Sequence, residues 1–324
     1  MHSISEYRRS LETALTDHVQ VKEPRNLYEP ISYILSLGGK KMRPVLTLLS
    51  AEIFDADYKK AIPAAIAVEV FHNFSLVHDD IMDDAPIRRG KKTVHEKWDV
   101  NAGILSGDAM LILAYQFFEM YEPKTFRDLA KLFSKTALEV CEGQQWDVDF
   151  EKRSDVTIPE YLKMIEYKTA VLVAAAMKMG GIVAGTSEEN CNRIYDFGLN
   201  LGIAFQIQDD YLDAFGDPST FGKQSGGDII ENKKTFLYLK ALEFGTENQR
   251  ESLTGLFSKE LEENTSKIQQ AKDIFIATGA AEAALQEIRQ YTFKAFNMLD
   301  GIAVSDEKKA ALRTFGEDLM DRKV

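Results

Sequence analysis

The 324-residue sequence predicts an all-α fold. Apolar residues recur at helical spacing over long stretches, including residues 62–82, 126–150 and 191–215. No stretch shows a convincing strand pattern, and neither a low-complexity linker nor a break in composition divides the chain. Long apolar helices bury one another in a bundle, so the sequence predicts a single helical domain over residues 1–324.

The helices are predicted from their apolar spacing and from the residues that end them. Gly38-Gly39 ends the second helix, Pro159-Glu160 starts the seventh, and the turn-forming residues 216–227 separate the eighth from the ninth. Residues 98–107 are predicted to form a loop. In chain order, the predicted helices cover residues 3–20, 31–37, 45–54, 62–82, 109–120, 126–150, 158–180, 191–215 and 231–242, followed by amphipathic helices to residue 324.

The composition restricts the possible functions. Hydrophobic residues make up 45% of the chain, which is enough for a sizeable core. The formal net charge of −12 argues against a nucleic-acid partner, because phosphate backbones are bound by surfaces rich in Lys and Arg. Cys141 and Cys191 lack zinc-type spacing and suggest a reducing compartment.

The sequence also indicates a cytoplasmic location. Residues 1–9 lack the apolar core of a signal peptide. The most apolar long stretch, residues 169–185, is interrupted by Lys178 and by Gly180-Gly181, so it is predicted to be a buried core helix. No membrane span is expected.

An acidic cluster ends the predicted helix 62–82. Asp79, Asp80 and Asp83 form a DDxxD pattern, and Asp84 adds a fourth carboxylate. On a helix these carboxylates share one face, where like charges repel. The cluster therefore predicts a bound cation.

The same pattern recurs at the end of a second apolar helix. Asp209, Asp210 and Asp213 repeat the DDxxD spacing about 130 residues later (209 minus 79). Carboxylate oxygens without nearby Cys or His clusters favour Mg²⁺, which usually shares its coordination shell with substrate phosphates. Two such motifs are a much stronger signal than one.

Basic residues lie beside both acidic motifs. Arg88 and Arg89 follow the first motif, and their guanidinium groups match diphosphate oxygens, whereas Lys91 and Lys92 are expected to form surface ion pairs. Lys168 lies within an apolar run, where a lysine is rarely buried without a partner.

The segment Gly38-Gly-Lys-Lys-Met-Arg-Pro44 has two interpretations when taken alone. Its basic residues suit an anion, because glycines allow a tight turn before the next helix. A helix cap followed by solvated lysines explains the same pattern.

Together these motifs resemble the trans-isoprenyl diphosphate synthases, the polyprenyl synthetases such as farnesyl and geranylgeranyl diphosphate synthase. The resemblance extends from residue 38 to residue 237 and rests on motifs in the family's order. These are Gly38–Pro44, Asp79–Asp84 with Arg88-Arg89-Gly90, Lys168-Thr169, Phe205–Asp210, and Gly222-Lys223 through Lys233.

The resemblance implies an isoprenoid-synthase bundle around a deep central cavity, usually as a homodimer. It implies that the two aspartate motifs face each other and bind three Mg²⁺ ions with the allylic diphosphate. The implied metal ligands are Asp79, Asp80, Asp83 and Asp209 directly, with Asp210 and Asp213 acting through water or as supporting partners. The implied allylic diphosphate ligands are Arg88, Lys168, Lys223 and Lys233, and those for isopentenyl diphosphate are Lys40, Arg43, His72 and Arg89.

The family's reaction fits these residue types. Metal ions neutralise the departing diphosphate, an allylic cation forms, and isopentenyl diphosphate attacks it through its double bond. Thr169 and Gln206 resemble the polar groups that stabilise the cation, and residues 216–227 are a candidate lid. The implied catalytic set is Asp79, Asp80, Asp83, Lys168, Thr169, Gln206 and Asp209.

The residues before the first motif carry the prediction of product length. Family members place bulky residues four or five positions before the first aspartate, and here those positions hold Ser75 and Phe74, with Phe71 one turn deeper. At a rise of ~1.5 Å per residue, Phe74 and Phe71 lie ~7.5 Å and ~12 Å below the aspartates. We expect farnesyl or geranylgeranyl diphosphate as product, unless both phenylalanines only pack between helices.

Three other functions compete with this interpretation. A terpene cyclase also binds Mg²⁺ through DDxxD but typically lacks the second DDxxD and the Gly-Gly-Lys site. A non-catalytic partner subunit of a prenyl synthase usually loses aspartates that this chain retains. An acidic structural bundle leaves the basic residues beside both motifs unexplained.

Overall fold

A computed structural model describes residues 1–216, 226–258 and 264–321 of the protein. Apart from one short hairpin, the regular structure in these residues is helical, so the predicted all-α class is confirmed. The chain divides into two compact units. The first comprises Met1–Lys135 and Ala175–Ile194, and the second comprises Thr136–Ala174 and Tyr195–Val324. A single domain over residues 1–324 stays a prediction.

The elements follow in chain order. The first part of the chain contains α1 (Ile4–His18), α2 (Arg25–Ser36), α3 (Met42–Ile53), a 3₁₀ turn (Tyr58–Ala61), α4 (Ile62–Met82), β1 (Ile87–Arg88), β2 (Lys91–Lys92), α5 (Val94–Lys97) and α6 (Val100–Phe118). There follow α7 (Pro123–Lys152), α8 (Ile158–Ile165), a π turn (Glu166–Ala170), α9 (Val171–Ala184) and α10 (Glu188–Phe215). The remaining helices are α11 (Gly227–Ile230), α12 (Phe236–Phe244), α13 (Glu247–Ser258), α14 (Asn264–Ala277), α15 (Ala280–Asp300) and α16 (Asp306–Met320).

The predicted loop at residues 98–107 is wrong, because α6 already begins at Val100. Asp99 caps this helix by accepting a hydrogen bond from the Ala102 amide over 2.8 Å. Small residues in the first turns allow α6 to pack closely on α4. A Cβ added at Gly103 would lie 2.8 Å from Ile81 Cδ1, and one added at Gly107 would collide with the His78 ring.

Helix α4 is the core helix of the first unit. Its residues from Ala64 to Phe71 are buried without interruption, and α3 and α6 pack against it. Burial on all sides explains the apolar run from Ala64 to Val68. The acidic motif is therefore carried on a helix that the core holds rigidly.

Two helical segments, Tyr58–Met82 and Ile158–Ala184, are long and apolar enough to cross a membrane by length and composition. Within the most apolar window of each segment, 61% and 56% of the residues are buried inside the protein. Core helices of soluble proteins pass the same test, so this is weak support for a membrane span. The absence of a span stays a prediction.

Candidate active site

The first acidic motif lies at the C-terminal end of α4. Asp79 and Asp80 are in its last turn, Asp83 is the capping residue, and Asp84 takes a left-handed conformation with φ of 49°. Asp80 is buried, whereas Asp83 and Asp84 are exposed. The motif therefore spans the transition from core to surface.

Arg88 binds the buried aspartate of this motif. Its Nε lies 2.8 Å and 2.9 Å from the two carboxylate oxygens of Asp80, and its Nη2 lies 2.7 Å from Asp80 Oδ1. Asp79 Oδ2 is 3.7 Å from the same Nη2. Burial raises the pKa of the Asp80 carboxyl, and the Arg88 guanidinium opposes that increase.

A two-residue hairpin turn sends the side chains of Arg88 and Arg89 to different partners. Strands β1 and β2 pair Arg88 with Lys91, and Arg89 and Gly90 between them have φ of 52° and 74°. Two positive φ values are the signature of a type I′ turn, which suits Gly at its second position. The predicted absence of strands is therefore wrong for this short hairpin.

Arg43, His72 and Arg89 form a second group of basic side chains. Arg89 Nη1 donates to the Gly38 carbonyl, and its guanidinium leaves no room for a Cβ on Gly39. Arg43 Nη1 lies 3.3 Å from His72 Nε2. Burial and the charge of Arg43 lower the pKa of His72 well below its ordinary value, which keeps the ring neutral at pH 7.

Lys40, like Arg89, has an exposed side chain. Its backbone carbonyl accepts a hydrogen bond from Arg8 Nη2 over 3.1 Å. The structure thus brings together Arg43, His72 and Arg89 of the predicted isopentenyl diphosphate ligands. The role of Lys40 stays a prediction.

The second acidic motif lies near the end of α10, in the second unit. Asp210 is buried, and its two carboxylate oxygens accept hydrogen bonds from Gln206 Nε2 over 3.0 Å and from the Tyr161 hydroxyl over 2.5 Å. Burial and the nearby Asp228 carboxylate raise the pKa of Asp210 well above its ordinary value. Ionisation of Asp210 is therefore disfavoured unless positive charge lies close by.

Asp228 is a site residue that the sequence interpretation missed. Its backbone amide donates to Asp213 Oδ2 over 3.0 Å, which joins the start of α11 to the second acidic motif. Lys233 Nζ lies 3.8 Å from Asp228 Oδ1 and 2.7 Å from Glu231 Oε2. In the sequence, Asp228 follows the turn-rich loop and lies five residues before Lys233, and this position was the available signal.

Lys168 and Thr169 lie on the π turn between α8 and α9. The Val171 amide donates to the Glu166 carbonyl five residues back, which widens the helix at this point. Lys168 Nζ donates to Asp147 Oδ2 over 2.5 Å, and Thr169 Oγ1 donates to Gln206 Oε1 over 3.1 Å. The predicted helix over residues 158–180 is confirmed, and the π turn is a local widening within it that the sequence pattern did not predict.

Two glycines allow neighbouring helices to approach the π turn closely. A Cβ at Gly143 of α7 would collide with the backbone amide of Lys168. A Cβ at Gly202 of α10 would lie 2.8 Å from Cα of Ala170. The backbone on both sides of the Lys168-Thr169 pair is thus held by close helix contacts.

These groups line one cavity of about 200 Å³ in the second unit. It combines carboxylates, ammonium groups and a few apolar side chains. The lining residues are Asp147, Phe150, Glu151, Tyr161, Met164, Ile165, Lys168, Thr169, Gln206, Asp209, Asp210, Asp213, Asp228, Lys233, Lys234 and Thr235.

The residues predicted to set product length lie on α4. Phe71 is fully buried and packs against Phe133 and Phe74, with ring centroids 5.0 Å and 5.4 Å away. Phe74 keeps 9% of its surface exposed and contacts the His78 ring. Ser75 Oγ donates to the His72 carbonyl over 2.8 Å, so its side chain is turned back onto the helix.

The carboxylates fit Mg²⁺ that is bound together with phosphate and water. Among residues 1–216, 226–258 and 264–321, no three Asp, Glu, His or Cys side chains are arranged as a ready-made metal site. Mg²⁺ commonly binds through one or two carboxylates while phosphates and water complete its shell. The carboxyl groups around Asp210 fit a cation that arrives with its phosphate ligands. Lys223 and most of the predicted lid lie outside the described residues.

Comparison with known proteins identifies the family. The model of the polyprenyl synthetase family, described as "Polyprenyl synthetase", matches residues 24–275. The chain belongs to the polyprenyl synthetase family. The predicted resemblance is thereby confirmed, together with the enzyme class, a short-chain trans-prenyltransferase. Members of this family use Mg²⁺, isopentenyl diphosphate and an allylic diphosphate.

Individual relatives of this polyprenyl synthetase cover most of its length. It is 40% identical to a geranylfarnesyl diphosphate synthase from Natronomonas pharaonis over 75% of this chain and 76% of the relative. It is 38% identical to a geranylgeranyl pyrophosphate synthase from Geoglobus acetivorans over 89% and 88%. A crystal structure of a geranylgeranyl pyrophosphate synthase matches with a TM-score of 0.96 and 53% identity, covering 100% of both chains.

Proposed function

We propose that this protein condenses isopentenyl diphosphate head-to-tail with an allylic diphosphate and forms an all-trans prenyl diphosphate of the farnesyl or geranylgeranyl type. The observation that carries the proposal is the pair of anion sites along α4. His72, with Arg43 and Arg89, offers a site rich in positive charge outside the DDxxD motif. Asp79 and Asp80, two turns later, offer a carboxylate site suited to a metal. A condensation needs both diphosphates, whereas a cyclase needs one.

The allylic diphosphate is assigned to the carboxylate motifs and their basic neighbours. Mg²⁺, when bound, neutralises the charge that develops on the departing diphosphate. Asp79, Asp80, Asp83 and Asp209 would bind the ions directly, and Asp210 and Asp213 would support them, with three ions expected in the full complex. Arg88, Lys168, Lys223 and Lys233 would hold the diphosphate oxygens.

Stabilisation of the allylic cation is assigned to Thr169 and Gln206. Thr169 donates its hydroxyl hydrogen to Gln206 Oε1, which leaves the lone pairs of Thr169 Oγ1 available toward positive charge. Close helix contacts around the π turn fix this hydroxyl, so little reorganisation is needed when the cation forms. The released diphosphate would accept the proton that the product loses.

The product length is assigned to Phe74 and Phe71. The full-length match at 53% identity is a geranylgeranyl pyrophosphate synthase, and this favours the geranylgeranyl product. A relative with the name geranylfarnesyl diphosphate synthase, which is 40% identical to this chain, indicates that the family also reaches longer products. A phenylalanine five residues before Asp79 supports a product no longer than geranylgeranyl diphosphate.

A homodimer in the cytoplasm is part of the proposal. Helix α6 leaves large apolar side chains in solvent, with 59% of Leu105 and 59% of Ile112 exposed. A second copy that covers them would account for an apolar sequence on an outer helix. Size-exclusion chromatography with light scattering should show a dimer, and Leu105→Glu should shift it toward monomer. A monomeric wild-type protein would contradict this part.

The decisive experiment is product analysis with purified protein, Mg²⁺, isopentenyl diphosphate and each of dimethylallyl, geranyl and farnesyl diphosphate. One linear prenyl diphosphate that requires isopentenyl diphosphate is the expected result. Cyclic hydrocarbon from farnesyl diphosphate alone would indicate a cyclase. No condensation by folded protein that binds Mg²⁺ and diphosphate would indicate a non-catalytic partner subunit.

A matched pair of variants tests the metal assignment. Asp79→Ala is expected to lower kcat by at least ~100-fold, because it removes part of the transition-state charge stabilisation. Asp128→Ala, at a surface ion pair with Arg127 on α7, should leave kcat unchanged. Activity of Asp79→Ala within about tenfold of wild type would contradict a ligand role.

A further inference from the structure

A buried lysine anchors the loop that precedes α3. Lys41 has φ of 49°, a left-handed conformation that residues other than glycine rarely adopt. Its side chain is only 4% exposed. Its Nζ donates to Glu69 Oε1 over 2.8 Å and to the Leu35 carbonyl over 3.2 Å. The unfavourable backbone conformation persists because the ammonium group is fixed by both partners.

The partner carboxylate belongs to the helix that carries the first acidic motif. Glu69 of α4 is 2% exposed and accepts a second hydrogen bond from Asn73 Nδ2 over 2.7 Å. Asn73 also donates to the Glu69 carbonyl over 2.8 Å, which ties the carboxylate to its own helix turn. His72, in the same turn, is the residue that contacts Arg43. One turn of α4 therefore holds both the loop and the cationic site.

Arg43 and Arg89 both depend on the loop that Lys41 anchors. Arg43 follows Lys41 by two residues, in the first turn of α3. Arg89 donates to the Gly38 carbonyl, three residues before Lys41. Burial lowers the pKa of Arg43 and of Arg89, and the Glu69 carboxylate opposes the shift in both cases.

We propose that Lys41 and Glu69 are positioning residues for the metal-free diphosphate site, where they fix the two guanidinium groups through the loop. This inference rests on the proposed function, which assigns isopentenyl diphosphate to Arg43, His72 and Arg89. Neither positioning residue is among those assigned to the substrate, and both side chains are buried. Loss of the pair should therefore weaken the binding of isopentenyl diphosphate and spare the binding of the allylic diphosphate.

The test compares Lys41→Met, Glu69→Gln and the double variant in steady-state kinetics and thermal unfolding. Either single change leaves one buried charge without its partner, so each should lower Tm. Each should also raise KM for isopentenyl diphosphate by at least ~tenfold, while KM for the allylic diphosphate stays within ~threefold. The double variant buries no unpaired charge and keeps an acceptor for Asn73, so it should recover most of the Tm.

The KM of the double variant decides between positioning and simple stabilisation. A positioning role predicts that KM for isopentenyl diphosphate stays raised although Tm recovers. The inference is overturned if KM for isopentenyl diphosphate recovers together with Tm in the double variant. It is also overturned if the KM values for both substrates rise equally in the single variants. Because the double variant is expected to fold, its KM is decisive even if a single variant fails to fold.

A control pair separates this result from general charge removal. Arg25 and Glu29 form an exposed ion pair on α2, and Arg25→Met with Glu29→Gln should change neither KM value. Wild-type protein that condenses no substrate pair would contradict the proposed function itself. Wild-type turnover combined with an unchanged KM in the double variant would contradict only the positioning role.

Discussion

Tyr161 donates its hydroxyl hydrogen to Asp210 Oδ2 over 2.5 Å in the buried part of the second acidic motif. Burial and the Asp210 charge raise the pKa of the Tyr161 hydroxyl, so it remains a hydrogen donor at neutral pH. The carboxyl that accepts this bond is itself difficult to ionise, because it is buried beside Asp228 and Asp209. The fold therefore buries this carboxyl group at a cost in stability above the ordinary pKa of an aspartate.

Asp210→Asn is expected to stabilise the folded protein at pH 7 while it lowers activity. The raised pKa of Asp210 means that its contribution to stability is present below the ordinary value of 3.8 and is lost as pH rises through the folded-state pKa. Asparagine stays neutral, so the gain over wild type should grow from pH 4 to pH 8. Its amide can still accept from Gln206 and donate to the Tyr161 oxygen.

The gain is measured by denaturant unfolding at several pH values, and Tm should rise by ~2–4 °C for each kcal/mol gained. Asp318→Asn on the exposed side of α16 serves as the control and should show no pH-dependent gain. A stability difference that shrinks toward pH 8 would be the wrong sign and would reject the charge-based explanation.

Gly143→Ala is expected to lower kcat and to destabilise the second unit. The new methyl group would lie within 2.8 Å of Cα of Lys168 and would collide with its amide nitrogen, so α7 and the π turn must separate. Overpacking of this kind costs roughly 1–3 kcal/mol. A shift of about 1 Å at Lys168 and Thr169 is enough for a loss of up to ~100-fold in rate.

Gly255→Ala provides the matched control for that change, because nothing lies within 4 Å of a Cβ at this position on α13. Alanine should stabilise this helix by up to ~1 kcal/mol and leave kcat unchanged. Equal kinetics for the Gly143→Ala protein and wild type would show that the close approach of α7 is not needed for catalysis.

Arg88→Gln is expected to make the protein more responsive to Mg²⁺. Asp80 then stays buried without its guanidinium partner, which should cost roughly 2–3 kcal/mol because Arg88 itself is 24% exposed. A cation that binds the released carboxylate restores stability by mass action. The increase in Tm on adding Mg²⁺ should therefore be larger than in wild type, as measured by calorimetry. An equal or smaller increase would mean that Asp80 does not bind the ion.

Phe74→Ala is expected to lengthen the product by one or more isoprene units. The phenylalanine five residues before Asp79 is replaced by a methyl group, while Phe71 remains packed against Phe133. Chain lengths are read by chromatography of the dephosphorylated products. Ser75→Phe, on the adjacent position, should shorten the product. Unchanged product length in both variants would favour a purely structural role for Phe74.

The sequence predicted the helical fold and both acidic motifs because their signals are local. Apolar spacing before Asp79 and before Asp209 is a property of ten to twenty consecutive residues, and long buried helices preserve it. The start of α6 was missed because Gly103 and Gly107 are typical of loops by composition. Their role in close packing against α4 depends on a helix distant in sequence.

The parts of the site that sequence reasoning missed depend on long-range pairing. Lys40 and Lys41 are adjacent lysines, but only the structure shows that Lys41 is buried against Glu69. Likewise, Asp228 joins the second cluster because its amide binds Asp213 across fifteen positions of sequence. No local pattern distinguishes these partners from solvated charges.

The hairpin between β1 and β2 makes this region intolerant of changes in length. Arg88 is in strand register opposite Lys91, whereas Arg89 occupies a turn position with φ of 52°, so the two neighbours serve different partners. Inserting or deleting one residue here would exchange the directions of the two side chains. In a library of single-codon insertions and deletions, functional clones should be depleted between codons 84 and 93 and recovered freely at the short connection between α6 and α7. Point substitutions at Lys91 and Lys92 should survive the same selection. The constraint on this turn is therefore its strand register more than its composition.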